Sequence, residues 1–344
     1  MRRFSRIVVT GGAGFIGSNF VRWMIDRHHE LELTVLDKLT YAGNLANLAD
    51  LTDNRRFRFV RGDIADASLV GKLAKEADAI VNFAAESHVD RSIEAPGDFI
   101  QTDIVGTHVL LEAARRHSHQ LYLQISTDEV YGNVSTGLSS EDAGLAPRSP
   151  YAASKAGADL LVLAYATTYG LPVAITRSSN NFGPFQYPEK IIPLFVTNAL
   201  NGEALPVYGD GMQVRDWLYV TDNCAAIEAV LMGAAAGEVY NVGAGNELTN
   251  LDLTRAILAK VGQPVDLIRL VDDRPGHDRR YAVDTTKIRG LGWRPNHEFS
   301  DALATTIAWY RDNPAWWKPL KTGAYLDYYR RQYADRLASS LPLE

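Results

Sequence analysis

The sequence predicts an α/β chain, a doubly wound parallel sheet filling roughly the first half and a smaller C-terminal α/β part after it. Three observations predict this. Short β-branched runs alternate with longer amphipathic patterns of helical period. A glycine-rich turn links the first run to the first helical pattern, and past Arg177 the regular alternation gives way to Asn, Gly and Pro.

Taken in order, the strand runs are Ile7–Thr10, Leu33–Leu36, Phe57–Val60, Ala79–Phe83, Leu121–Ile125 and Pro172–Thr176. They are mostly apolar, the pattern of strands covered on both faces. Helical patterns at Phe15–His28, Phe99–His117 and Ala152–Tyr169 supply the cover. Asn180–Lys190 reads as loop and Gly209-Asp210-Gly211 as a tight turn. Thr221–Met232, Leu251–Val261 and Ser300–Tyr310 read as helices, and the Trp- and Tyr-dense stretch Ala315–Tyr333 as packing against the body. The expected division is a cofactor domain over residues 1–180, rejoined by a segment near 212–246, and a substrate domain over 181–344.

With 344 residues, 46% hydrophobic and 22% charged, the chain can bury one large core or two unequal ones, which excludes a disordered protein. A net charge of −6 argues against a nucleic-acid binder, which needs a broad cationic face, but allows a local basic pocket. The single cysteine, Cys224, permits no internal disulfide and reads as a core residue. Met1–Arg6 carries three arginines, but the apolar run Ile7–Val9 behind it is too short for a signal peptide. No run approaches a membrane span, so the expectation is a cytoplasmic enzyme or binding protein without a membrane partner.

Gly12, Gly14 and Gly17 satisfy G-x-G-x-x-G, and Gly11, Gly14 and Gly17 give the wider spacing. Glycines there allow a tight turn and close backbone approach to a pyrophosphate, and the following helix offers free N–H groups. Asp37 ends the second strand 20 residues beyond Gly17. Its carboxylate can accept from a ribose 2′-hydroxyl and repels a 2′-phosphate, so NAD is favoured over NADP, a preference slightly weakened by Lys38. Asp63 after the third strand is placed either to bond an adenine or to cap a helix over Ala65–Glu76. Small Ala84 and Ala85 at the end of the fourth strand allow a cofactor to approach.

Tyr151 and Lys155 lie four apart on one predicted helix, hence on one face. An ammonium and a cationic nicotinamide together can make the phenol a usable base. Ser126-Thr127-Asp128-Glu129 follows an apolar strand and emerges at the carboxyl edge of the sheet. Two adjacent carboxyls there are candidates for one protonated acid and one ionised base. None of the 8 histidines forms a recognisable ligand set, so no metal is expected.

Together Thr10–Ser18, Asp37–Asn44, Ala84–Ser92, Ser126–Gly132, Tyr151–Lys155, Ser179–Pro184 and Asp273–Arg280 resemble the dTDP-glucose 4,6-dehydratases, extended short-chain dehydrogenase/reductases, from about residue 5 to residue 333. The run Thr127-Asp128-Glu129, Pro188-Glu189-Lys190 and Asp273–His277 carry most of its specificity. The resemblance implies a Rossmann domain holding NAD, a smaller nucleotide-sugar domain and a homodimer formed by helices Phe99–His117 and Ala152–Tyr169. It implies oxidation at C4, elimination of water across C5 and C6, and return of hydride to C6. By it Tyr151 is the base for the C4 hydroxyl, Lys155 its partner, and Thr127 bonds O4. Asp128 is the acid for the departing C6 hydroxyl and Glu129 the base at C5.

The resemblance puts cofactor contacts at Gly11, Gly14, Phe15, Ile16, Gly17, Asp37, Lys38, Leu39, Thr40, Asp63 and Ile64. It adds Phe83, Ala84, Ala85, Ser87, Thr102, Tyr151, Lys155 and Asn181. Substrate contacts fall on Ser87, Thr127, Asn180, Glu189, Lys190, Ile191 and Asn250, with a nucleoside pocket at Pro206, Val207 and Tyr208. Tyr208 is suited to stack on thymine. Arg215 and Arg274 suit a diphosphate, with His277 beside them. For Arg215 the plain alternative is an ion pair with Asp216. Rival functions are a nucleotide-sugar 4-epimerase or decarboxylase of the same fold, which needs no acid for a leaving water, and a non-catalytic dinucleotide sensor.

Overall fold

The computed structural model describes residues 2–342. The apolar runs form strands β1 (Arg6–Thr10), β2 (Glu32–Asp37), β3 (Phe57–Arg61), β4 (Ala79–Asn82), β5 (Leu121–Thr127) and β6 (Val173–Ser178). They are followed by β7 (Asn180–Phe182), β8 (Leu205–Tyr208), β9 (Val214–Tyr219), β10 (Glu238–Val242), β11 (Glu247–Thr249), β12 (Ile268–Val271) and β13 (Leu341–Pro342). Seven strands align as β10-β6-β5-β4-β1-β2-β3, and every pairing is parallel. The chain leaves β1 toward β2 on one side and later adds β4 on the other. That reversal opens a crevice at the carboxyl ends of β1 and β4.

Successive residues of a strand face opposite layers, and β1 shows it. Val9 joins the core under helices Phe15–Arg27 and Val220–Gly233, while Val8 joins the core under Ala67–Lys75, Thr107–Arg116 and Pro150–Tyr169. Both faces of the inner strands are covered, which is why those runs are mostly apolar, whereas the edge strand β3 exposes Arg58 and Arg61. Cys224 is fully buried in the first of these cores. Helix Val220–Gly233 and β10 are the late addition to the large sheet.

Two three-stranded sheets, β11-β9-β7 and β13-β12-β8, make the smaller part. Its core is aromatic, with Phe182, Phe195, Trp217, Tyr310, Trp317 and Tyr333 packed together. The C-terminal aromatic stretch therefore packs on the body, as the sequence predicts. Trp316 also reaches the cofactor side: its Nε1 donates to Asn47 Oδ1 at 2.9 Å, and Asn47 Nδ2 donates to the Ala13 carbonyl at 2.9 Å. No described helix is long and apolar enough to cross a membrane.

Three local expectations need correction. The helix expected over Phe99–His117 is split into Pro96–Phe99, a π-helical stretch Ile100–Gly106 and Thr107–Arg116. The wider turn swings Asp103 inward, where Oδ1 accepts from the Glu86 amide at 3.1 Å and Oδ2 from Ser154 Oγ at 2.6 Å. The helix after β3 begins at Ala67 and is capped by Asp66, which accepts from Ser68 and Leu69, rather than by Asp63. The stretch Asn180–Lys190 is not all loop, because β7 pairs with β9.

Candidate active site

The glycine turn follows β1 directly, and its geometry leaves no room for side chains. A Cβ on Gly11, whose φ is +66°, would meet the Ala84 amide nitrogen at 2.5 Å, and one on Gly17 would meet the Gly11 carbonyl at 2.4 Å. Asp37 ties this turn to β2, with Oδ2 accepting from the Ala13 amide at 2.9 Å and Oδ1 from Leu39 at 2.8 Å. Leu39 adopts the left-handed conformation and packs into the core, so it shapes the carboxylate rather than lining the hollow. The other cofactor positions expected from the sequence, from Gly11 to Asn181, all line one hollow along the carboxyl edge. Asp63 faces it too, accepting from Ala65 at 2.9 Å and pairing with Lys38 at 2.7 Å. The cradle, the carboxylate and the crevice together fit a dinucleotide.

A second hollow opens in the smaller part, lined by Ile191, Pro206, Val207, Tyr208, Arg215, Asn250, Arg274 and His277. Glu129, Asn180, Glu189 and Lys190 line both hollows, so the two meet there. Ser87 and Thr127 stand on the cofactor side of this junction.

The reactive groups converge on the junction. Helix Pro150–Tyr169 starts with proline in its first turn and a Ser149 cap whose Oγ accepts from Ala152 at 3.1 Å. Tyr151 therefore sits at the helix start and Lys155 one turn on. Lys155 is buried and its Nζ donates to the Ile125 carbonyl of β5 at 2.7 Å. Burial, then the carboxylates Glu129 and Asp103, hold the Tyr151 phenol well above its ordinary range. The protein's own groups thus leave Tyr151 protonated, and its use as a base calls for added positive charge.

Thr127 ends β5 and caps a short helical turn, accepting from the Glu129 amide at 3.3 Å. Asp128 is 2% exposed and its Oδ2 has no partner. Burial, with the neighbouring Glu129 charge second, drives its carboxyl well above the usual range. A carboxyl raised by burial thus stands beside a second one, an arrangement suited to a paired acid and base.

The basic groups of the second hollow are only partly occupied. Arg215 does not pair with Asp216, which instead accepts from the Ala244 and Asn246 amides. Arg215 donates to the Val214 and Asp278 carbonyls and lies 4.3 Å over the Tyr281 ring, so its charge has no carboxylate partner among the described residues. Arg274 Nη1 meets Asp90 Oδ1 at 3.1 Å while its buried Nε has no partner. Lys190 Nζ donates to the Ser87 carbonyl, and Glu189 is held by Arg91 at 2.9 Å. Burial pushes His277 down to about 4 although its Nδ1 lies 2.6 Å from Asp273, so the ring is neutral.

Sequence reasoning did not single out Glu86, Gln186 and Tyr187 on the cofactor side, or His88, Asp90, Tyr281 and Tyr333 in the second hollow. Their spacing carries no periodic signal, because they come from separate loops and from the C-terminal helix.

A nucleotide-binding sheet whose crevice ends in a Tyr–Lys pair and two carboxyls defines a dehydrogenase-like enzyme that also moves protons at a second carbon. The chain matches the GDP-mannose 4,6 dehydratase family over residues 8–306 and belongs to that family. It is 55% identical over 322 residues to the dTDP-glucose 4,6-dehydratase of Streptomyces niveus, covering 92% of this chain and 96% of that protein. It is 54% identical over 318 residues to the dTDP-glucose 4,6-dehydratase of an Actinoplanes species, covering 91% and 99%. The crystal structure of DesIV, the dTDP-glucose 4,6-dehydratase of Streptomyces venezuelae, has NAD and dTDP bound. It superposes with a TM-score of 0.90 at 53% identity, over 92% of this chain and 100% of that one.

Proposed function

We propose that this chain is an NAD-dependent hydro-lyase that converts dTDP-glucose to dTDP-4-keto-6-deoxyglucose and water. The observation that carries it is Asp128, buried beside Glu129 with its carboxyl raised above the usual range, at the junction of the two hollows and on the side where Tyr151 and Lys155 stand. An epimerase acting at C4 has no leaving water to protonate, so this acid favours the dehydratase over that rival.

Bound NAD⁺ would accept the C4 hydride and return it to C6, ending as it began. The residues of the chain then have separate tasks. Tyr151 takes the C4 hydroxyl proton, with Lys155 and the cationic nicotinamide ring opposing the charge of the phenolate. Thr127 bonds O4. Once C4 is a ketone the C5 hydrogen is acidic, and Glu129 removes it. Asp128 gives its proton to the departing C6 hydroxyl, and Glu129 later restores the proton at C5. Lys190, Arg215 and Arg274 hold the diphosphate, Pro206 to Tyr208 the nucleoside, and Ser87, Asn180, Glu189, Ile191, Asn250 and His277 complete the substrate wall.

Residues 1–180, rejoined within the segment near 212–246 by helix Val220–Gly233 and β10, serve the cofactor, and the rest of residues 181–344 serve the sugar nucleotide. The enzyme works as a cytoplasmic homodimer through its helices at 100–116 and 150–169. Supporting this face, Ile100 is 53% exposed and Leu160 57%. Leu160→Glu should shift sedimentation toward the monomer.

The function is tested with dTDP-glucose deuterated at C4, and with normal substrate in heavy water. Deuterium transferred to C6, with solvent deuterium at C5, is the expected pattern. Label retained at C4 with no water lost would leave the epimerase.

A further inference from the structure

Asp90 opens the short helix Val89–Glu94, which follows β4 of the large sheet, yet its carboxylate ends in the second hollow. It is 6% exposed, and its partners come from three distant segments. Oδ1 receives Arg274 Nη1 at 3.1 Å, and Oδ2 receives the Tyr208 hydroxyl at 3.0 Å and Gln332 Nε2 at 3.1 Å. Tyr208 lies on β8, Arg274 on the segment after β12, and Gln332 on the C-terminal helix Ala324–Ala338. The same helix stacks Tyr333 on the Tyr208 ring, with centroids 5.9 Å apart at 25°.

Left alone, an arginine and a tyrosine on different segments would sample several rotamers, and binding would have to freeze them. A buried carboxylate that accepts from both fixes their relative position beforehand. We propose that Asp90 is a positioning residue for nucleotide recognition, setting the Arg274 guanidinium and the Tyr208 ring at the spacing of a diphosphate and its nucleoside. This rests on the nucleotide-sugar reading of the second hollow. The described partners of Asp90 are groups of the nucleotide hollow, not Tyr151, Asp128 or Glu129, so it is expected to act on binding rather than on the chemical steps.

The test uses the NAD-loaded enzyme with dTDP-glucose as substrate and dTDP as a binding probe. Asp90→Asn keeps the shape and removes the charge. It is expected to raise KM and the dTDP dissociation constant by roughly tenfold or more while kcat changes by less than about threefold. Tyr208→Phe removes only the hydroxyl, which also meets Gln332, Arg336 and Tyr333, and its effect on KM should be non-additive with Asp90→Asn, because both disturb the Asp90–Tyr208 contact they share. Unchanged KM in Asp90→Asn, a fall in kcat alone, or effects that simply multiply in the double variant would overturn the proposal. Equal melting temperatures and NAD content of the variants exclude a general loss of fold. Failure of the wild type to bind dTDP overturns the reading of the hollow itself, and Asp90's role with it.

Discussion

Lys38 leans on Asp63 across the cofactor hollow, with Nζ 2.7 Å from Oδ2. Burial raises the Asp63 carboxyl, but Lys38 and the Ala65 amide together hold it below its usual range. The pair leaves little positive charge for a 2′-phosphate beside Asp37. Asp63→Asn is therefore expected to raise affinity for NADP⁺ relative to NAD⁺ by roughly threefold to tenfold, a modest gain because both side chains touch solvent. Adding Lys38→Met should cancel it. Competitive loading of the two cofactors measures the ratio.

Tyr151→Phe should abolish the first half-reaction. The ring and its edge-on contact with Phe99 at 6.2 Å remain, so NAD content should be normal. Transient NADH should fall by roughly 10²- to 10⁴-fold in rate. Normal NADH formation on mixing with dTDP-glucose would remove Tyr151 from the base role.

The double variant Asp128→Asn with Glu129→Gln should behave in the opposite way. Oxidation at C4 needs neither carboxyl, so NADH should form and persist while water loss drops by at least about 10²-fold. Quenched-flow analysis separates the two steps. Product at the normal rate would refute the acid and base roles.

Behind the site, Arg177 Nε donates to Asp159 Oδ2 at 2.8 Å, with side chains only 3% and 0% exposed. Nη1 of the same arginine donates to Tyr131, so β6 is tied to the catalytic helix and to the Asp128–Tyr131 turn. Arg177→Met strands a buried carboxyl and should cost about 3–5 kcal/mol in urea unfolding. Adding Asp159→Leu should recover part of that loss.

Acid should tighten the fold near the cofactor. Burial, with Asp103 next, raises the Glu86 carboxyl to about 7, and burial raises Asp103 to about 6. Carboxyls raised in the fold bind protons more tightly there than in the unfolded chain. Their contribution is unfavourable when both are ionised above pH 7 and is relieved as pH falls through these values. The melting temperature should rise between pH 8 and pH 6, and Glu86→Gln should flatten that rise.

Much of this was legible in the sequence wherever one segment carries the whole message. The glycine turn, Asp37 and the Tyr151–Lys155 pair are each set by a strand followed by a helix, and local spacing suffices. The raised carboxyl of Asp128 was legible only as a possibility, since it depends on burial by residues remote in the chain. Asp90 and Tyr333 were illegible, because they matter through contacts between β8, the segment after β12 and the last helix. The π-helical stretch at Ile100–Gly106 was hidden for another reason. Its apolar spacing differs by a single residue from an ordinary helix.

The contact from Trp316 through Asn47 to Ala13 gives the protein a particular order of birth. The ribosome makes the cofactor cradle well before Trp316, whose indole reaches it through Asn47 and emerges 269 residues after Asn47. A nascent chain is thus expected to lack this support for its cradle until Trp316 has been made, and to hold NAD firmly only after that. Trp316→Phe, which keeps the ring but lacks the N–H, should retain less NAD through gel filtration and dilution.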